Sequence, residues 1–209
     1  ISEDVEYGEA GSEYRTEKDS FAHIFLREHS SLNHQLYWEI QTKSGETVYL
    51  GKCNASCVST PDSAAPLVWM VTKVVDRYGN YYVCEYDIDA INTEGRDYRP
   101  RAVRYTGNEE QSLEPYVEIS FQYEERPDIT FGFVSGTKTV NSSRLTSIDI
   151  STHGELNYSY ELTYIDQGVD GSGDSYRNTS GELDRLKYVS EWQTLRSKLK
   201  EITRVLPSG

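Results

Sequence analysis

The stretch DRYGNYYVCEYD, Asp76 to Asp87, constrains this chain more than any other. Gly79 and Asn80 are the residue types that most readily adopt positive φ, so Asp76-x-x-Gly79-Asn80 predicts a tight turn. Strand side chains alternate with period two, which places Tyr82, Cys84 and Tyr86 on one face of the strand that follows. A turn feeding an extended Tyr-x-x-x-Tyr-Asp run reads as the core of a tyrosine-aspartate (YD) repeat. It describes a built surface rather than a catalytic pocket.

The rest of the chain carries the same signature. YWEIQTKSGETVYLG, Tyr37 to Gly51, reads as a hairpin turning at Lys43-Ser44-Gly45-Glu46. Phe21, His23 and Phe25 alternate in an earlier strand, and Leu67 to Val75 reads as one strand covered on both faces. The segment from Cys53 to Pro66 is small and polar, predicting a loop. A strand from Tyr81 to Ile88, a polar loop up to Pro100 and a strand from Ala102 to Tyr105 come next. Val117, Ile119, Phe121 and Tyr123 alternate with polar residues, and Arg126-Pro127-Asp128 predicts the turn of a second hairpin, returning at Ile129 to Val134. Ser143–Ile150, Tyr158–Tyr164 and Leu183–Trp192 read as further strands, and glycine-rich Gly168 to Gly181 as a mobile loop. In the tail, Leu195, Leu199, Ile202 and Leu206 fit a helix face. SKLKEITR nevertheless echoes SRLTSIDI in position and pattern, which favours a strand.

An aromatic strand, a loop and a second strand thus recur three times. The copies pair Tyr82–Asp87 with Ala102–Tyr105, Tyr116–Glu124 with Arg144–Ile150, and Tyr158–Asp166 with Lys198–Val205. A unit whose sheet face it cannot cover alone is expected to stack edge to edge with the next. The predicted fold is all-β: an extended antiparallel array of YD-like hairpins, part of a shell or a sandwich. Residues 1–19 form a polar lead-in and 20–209 a single domain, with a minor boundary considered at 53–66. The chain begins at Ile1, which reads as a fragment or a processed piece.

The 17 tyrosines and 3 tryptophans supply the buried area that a 36% apolar content understates. A net charge of −13 repels phosphate backbones and anionic lipid, so nucleic-acid binding is disfavoured. No apolar run of membrane-spanning length occurs, so no membrane insertion by this segment is expected. Sequons at Asn54, Asn141, Asn157 and Asn178 fit an exported protein.

Candidate chemistry is sparse. Cys53-x-x-x-Cys57 fits a local disulfide or half a metal site, but no second ligand pair accompanies it; Cys84 stands apart, and His23, His29, His34 and His153 are scattered. Gly168 to Gly173, GVDGSG, lacks the full acidic spacing of an EF-hand and reads as a flexible loop, with an adventitious Ca²⁺ at Asp166, Asp170 and Asp174 as the lesser alternative. Glu124, Glu125 and Asp128 are the obvious carboxylates for glycoside chemistry. The structural alternative has Arg126 and Asp128 pinning a turn by a salt bridge and side-chain-to-backbone bonds. We expect no catalytic, cofactor or metal residues. Asp76, Gly79, Asn80, Arg126 and Asp128 are expected to act as turn residues.

In order along the chain come FAHIF, WEIQTKSGETVYLG, VWMVTKVVDRYGNYYVCEYD, YVEISFQYEERPD, the run from Gly136 to Ile148 ending RLTSI, YELTY and a late RSKL. That order resembles the SpvB-type N-terminal domain of bacterial toxins, shared with the B component of Tc insecticidal toxins and related to Rhs/YD-repeat shells. The resemblance covers about Tyr14 to Val205. It implies a non-enzymatic segment of a hollow β shell around a toxic polypeptide, secreted, with other domains of the same toxin as partners. The acidic, sequon-rich loops and the Cys53 to Cys57 element depart from that family. The tyrosines also permit a second function, a carbohydrate- or cell-surface-binding β-sandwich, which needs two or three coplanar exposed rings.

Overall fold

Alternation of apolar and polar residues becomes strand after strand. The computed structural model describes residues 6–30, 35–52, 56–59, 66–91, 95–134, 137–167 and 196–207, and among these there is no helix. The strands are β1 (Glu13–Tyr14), β2 (His23–Glu28), β3 (Leu36–Gln41), β4 (Thr47–Leu50), β5 (Cys57–Ser59), β6 (Pro66–Trp69) and β7 (Val71–Val75). They continue as β8 (Asn80–Ile91), β9 (Gly95–Asn108), β10 (Val117–Val134), β11 (Thr137–Thr152), β12 (Glu155–Gln167) and β13 (Arg196–Val205). Eleven of them form one sheet in the order β1-β2-β3-β4-β7-β8-β9-β10-β11-β12-β13, while β5 and β6 pair separately. Apart from a parallel bridge between Thr139 of β11 and Arg96 of β9, the registered pairs are antiparallel.

The strands of each repeated unit are sheet neighbours: β8 with β9, β10 with β11, and β12 with β13. The tail is strand β13, ten residues long, as its echo of SRLTSIDI implies.

Several boundaries are corrected. Leu67 to Val75 is two strands in different sheets, because the chain steps from β6 to β7 at buried Met70, whose N–H bonds Ser56 O. The polar stretch before Pro100 is strand in part, since β8 runs on to Ile91 and β9 already starts at Gly95. Within the expected Cys53–Pro66 loop, Cys57–Ser59 is strand β5. Arg126-Pro127-Asp128 is not a turn. The 18-residue strand β10 runs through it, and the proline replaces an N–H without ending the strand. Leu183–Trp192, Gly168–Gly181, Asp170, Asp174, His34 and Cys53 lie outside the described residues.

The chain divides into two compact units: residues 1–88, 98–119 and 151–155, and residues 89–97, 120–150 and 156–209. In the first unit, register separates two chemistries. Ile24 faces Ile40, Leu26 faces Trp38, Trp38 faces Leu50, and Val48 faces Val74, so these share one apolar side. Phe25, Glu39, Tyr49 and Lys73 follow one another across the opposite side. Trp38 meets Tyr14 edge-on at 4.9 Å and Trp69 of β6 at 5.9 Å, so the small sheet packs on the apolar side. Gly51 makes that approach possible. A Cβ there would lie 2.4 Å from the Trp69 ring and 2.7 Å from Cys57 Sγ, and its φ is 76°. Among the described residues only Leu26, Val58, Met70, Val75, Ala102 and Ile150 are buried apolar side chains.

Candidate functional site

The Asp76–Asn80 motif connects β7 to β8 as a closed network. Asp76 Oδ1 accepts the N–H groups of Tyr78 (2.8 Å) and Asn80 (2.9 Å), and Oδ2 accepts Asn80 Nδ2 at 2.9 Å. The bond from the Asn80 amide, foremost, holds the Asp76 carboxyl below its usual range. Gly79 sits at φ 76°, in the left-handed region. The network then reaches outward. Asn108 Nδ2 donates to Asn80 Oδ1 at 2.8 Å and to Tyr78 O at 3.1 Å, Asn108 Oδ1 accepts Gln111 N–H at 2.9 Å, and Glu109 N–H donates to Gly79 O at 2.8 Å. The motif therefore holds the loop after β9. Nothing in the local sequence identifies Asn108 as its partner, because the pairing spans 28 residues.

In the second unit Arg126 and Asp128 share one face of β10, two residues apart. Arg126 Nε and Nη2 donate to the two Asp128 oxygens at 2.9 and 3.0 Å, a fork-to-fork pair. Ser197 of β13 adds its N–H at 2.7 Å and its hydroxyl at 2.6 Å to the same carboxylate. Burial pushes the Asp128 carboxyl up, but the hydrogen bonds from Arg126 and Ser197 together overcome it and hold it at about 2. Arg144 of β11 donates to Ser197 Oγ at 2.8 Å and to Glu124 Oε1 at 2.7 Å. The expected salt bridge is thus present as a clasp between strands β10 and β13 rather than across a turn. Ser197, 69 residues away, carries no sequence signal for this role.

The clasp has little to offer acid–base chemistry. Glu124 and Asp128 are each engaged by an arginine, and a carboxylate held at about 2 is a poor proton donor near neutral pH. Among the described residues no three His, Cys, Asp or Glu side chains converge as metal ligands.

The polar side of the first unit is a lattice of cations over rings. Arg27 lies 4.4 Å from the Phe25 centroid, Lys52 4.0 Å from that of Tyr49, and Lys73 3.9 Å from that of Tyr81. Arg104 bridges Glu85 and Glu118, and Arg101 bonds Glu85. Tyr37 and Tyr49 are tilted by 51° with centroids 6.3 Å apart, so they form no flat platform.

No protein-family model and no curated protein matches the sequence. Solved structures do match. The N-terminal domain of effector protein SpvB from Salmonella typhimurium strain LT2 superposes with a TM-score of 0.69 at 15% identity, over 94% of this chain and 69% of that one. The chain has the SpvB/Tc-type fold. The Photorhabdus luminescens Tc holotoxin pore matches with a TM-score of 0.65 at 13% identity, and the TcdB2-TccC3-Cdc42 structure with 0.62 at 12%. These cover 92% and 90% of this chain but 10% of each Tc chain, so the SpvB/Tc-type segment spans about a tenth of those polypeptides.

Proposed function

We propose that this chain is a non-enzymatic wall section of an exported, toxin-complex-like polypeptide, in which a β shell encloses or presents a toxic cargo. One observation carries the reading: an eleven-stranded sheet in which, among the described residues, only four apolar side chains, Leu26, Val75, Ala102 and Ile150, are buried. Such a sheet has a large half-covered area, and apolar area left in water costs roughly 25 cal/mol per Å². Neighbouring sections of a shell remove that cost. Its partners are then other domains of the same polypeptide or complex, in the extracellular medium. The sugar-binding sandwich has less support, since cations sit over Phe25, Tyr49 and Tyr81, where a sugar would stack.

The reading is tested on the full-length polypeptide that contains this segment. Limited proteolysis is expected to leave the cargo region intact in the wild type and to release it when Trp38→Asp opens the wall. Equal cleavage of the cargo in both proteins contradicts enclosure, and saturable glycan-array binding by the wild type supports the sandwich instead.

A further inference from the structure

Lys52 follows Gly51 at the end of β4, on the polar side of the first unit. Its ammonium lies between two rings, 4.0 Å from the Tyr49 centroid and 5.1 Å from that of Tyr37. Two other cations flank it, and both are neutralised: Arg27 by Glu39 at 3.4 Å and Lys73 by Glu109 at 2.7 Å. Among the described residues Lys52 has no carboxylate within ion-pair distance, and the hydroxyls of Tyr37 and Tyr49 have no hydrogen-bond partner. Three cations against two carboxylates leave this patch with a charge of +1 on a chain of net −13. Burial lowers the Lys52 ammonium from its usual range, against Glu39, and burial raises both phenols, so the phenols stay protonated as donors.

We propose that Lys52, Tyr37 and Tyr49 form a carboxylate-binding site, filled by an acidic side chain of another polypeptide segment. A half-desolvated cation without a counter-ion gains most from a carboxylate brought to it, and the two hydroxyls supply further donors. The half-buried rings of Phe25, Tyr37 and Tyr49 give such a segment apolar area around the charge. Glu39 and Glu109 flank the site, so a polymer charged at every unit is repelled, whereas one carboxylate on an otherwise uncharged segment fits. That the segment belongs to a toxin assembly rests on the wall reading; the site itself does not. Loss of peptide binding and loss of cargo protection are therefore separate failures.

The test follows the Gly51 and Lys52 amide signals by NMR during titration of this chain with capped Phe-Glu-Phe, capped Phe-Gln-Phe and glucuronic acid. Saturable shifts with the glutamate peptide are expected. Binding should weaken about fivefold or more for the glutamine peptide and for Lys52→Gln, the loss of one charge-assisted bond. Lys52→Arg is expected to keep part of the affinity. Should Lys52→Gln fail to fold, the peptide pair on wild type decides alone. No saturable shift, equal affinity for both peptides, unchanged binding by a folded Lys52→Gln, or tighter binding of glucuronic acid than of the peptide overturns the proposal.

Discussion

At the scale of single residues, the motif that dominates the sequence is a backbone device. Gly79→Val is expected to destabilise the first unit by about 1 kcal/mol or more, because a β-branched residue resists positive φ. Its Cβ also meets Glu110 Cγ at 3.0 Å. Thermal melts of the two proteins check this, and equal melting temperatures contradict it. Asp128 makes a pH-dependent contribution. Its folded pKa lies below the unfolded value, so its stabilisation is present above about pH 4 and is lost as pH falls through about 2. From 3.8 to about 2, the shift corresponds to about 2 kcal/mol. Urea melts should show Asp128→Asn less stable than wild type at pH 7, with the gap closing between pH 4 and pH 2. A gap independent of pH contradicts the role assigned to the carboxylate. Asp76 and Asn80 were legible because an Asx side chain bonds its own turn. Asn108 and Ser197 were not, since their roles exist only after distant strands meet.

Among the elements, alternation identified strands such as β3, β4 and the first half of β10, whereas turn residues misplaced some strand ends. Val117 to Tyr123 has the pattern of a strand that is half covered, and it became the first half of β10. Pro127 read as a stop because proline and aspartate favour turns, yet here Asp128 finds its donors in β13 instead of in its own backbone. Likewise, the nine residues from Leu67 to Val75 are apolar apart from Thr72 and Lys73, and periodicity alone cannot show the change of sheet at Met70. The clasp between β10 and β13 predicts an order of mutational effects. Ser197→Ala removes the hydroxyl and is expected to cost about 1 kcal/mol. Ser197→Pro also removes the N–H that Asp128 accepts and is expected to cost more, about 2–3 kcal/mol in denaturant melts. Equal stability of the two variants would show that the backbone bond contributes nothing.

For the whole molecule, an all-β class was legible from tyrosines, β-branched residues and repeated hairpins, because these suit a pleated surface with one face wet. The half-covered core was not, since burial depends on which sheet faces meet. The central claim is that the segment is wall and not an isolated module. Cryo-electron microscopy of the full-length polypeptide tests it most directly. In a wall section the edge strands continue into neighbouring sheets around a closed cavity, and the side bearing Trp38, Ile40 and Val48 is covered. A separate lobe joined to the rest by a linker, its strands unpaired with any other section, would contradict it.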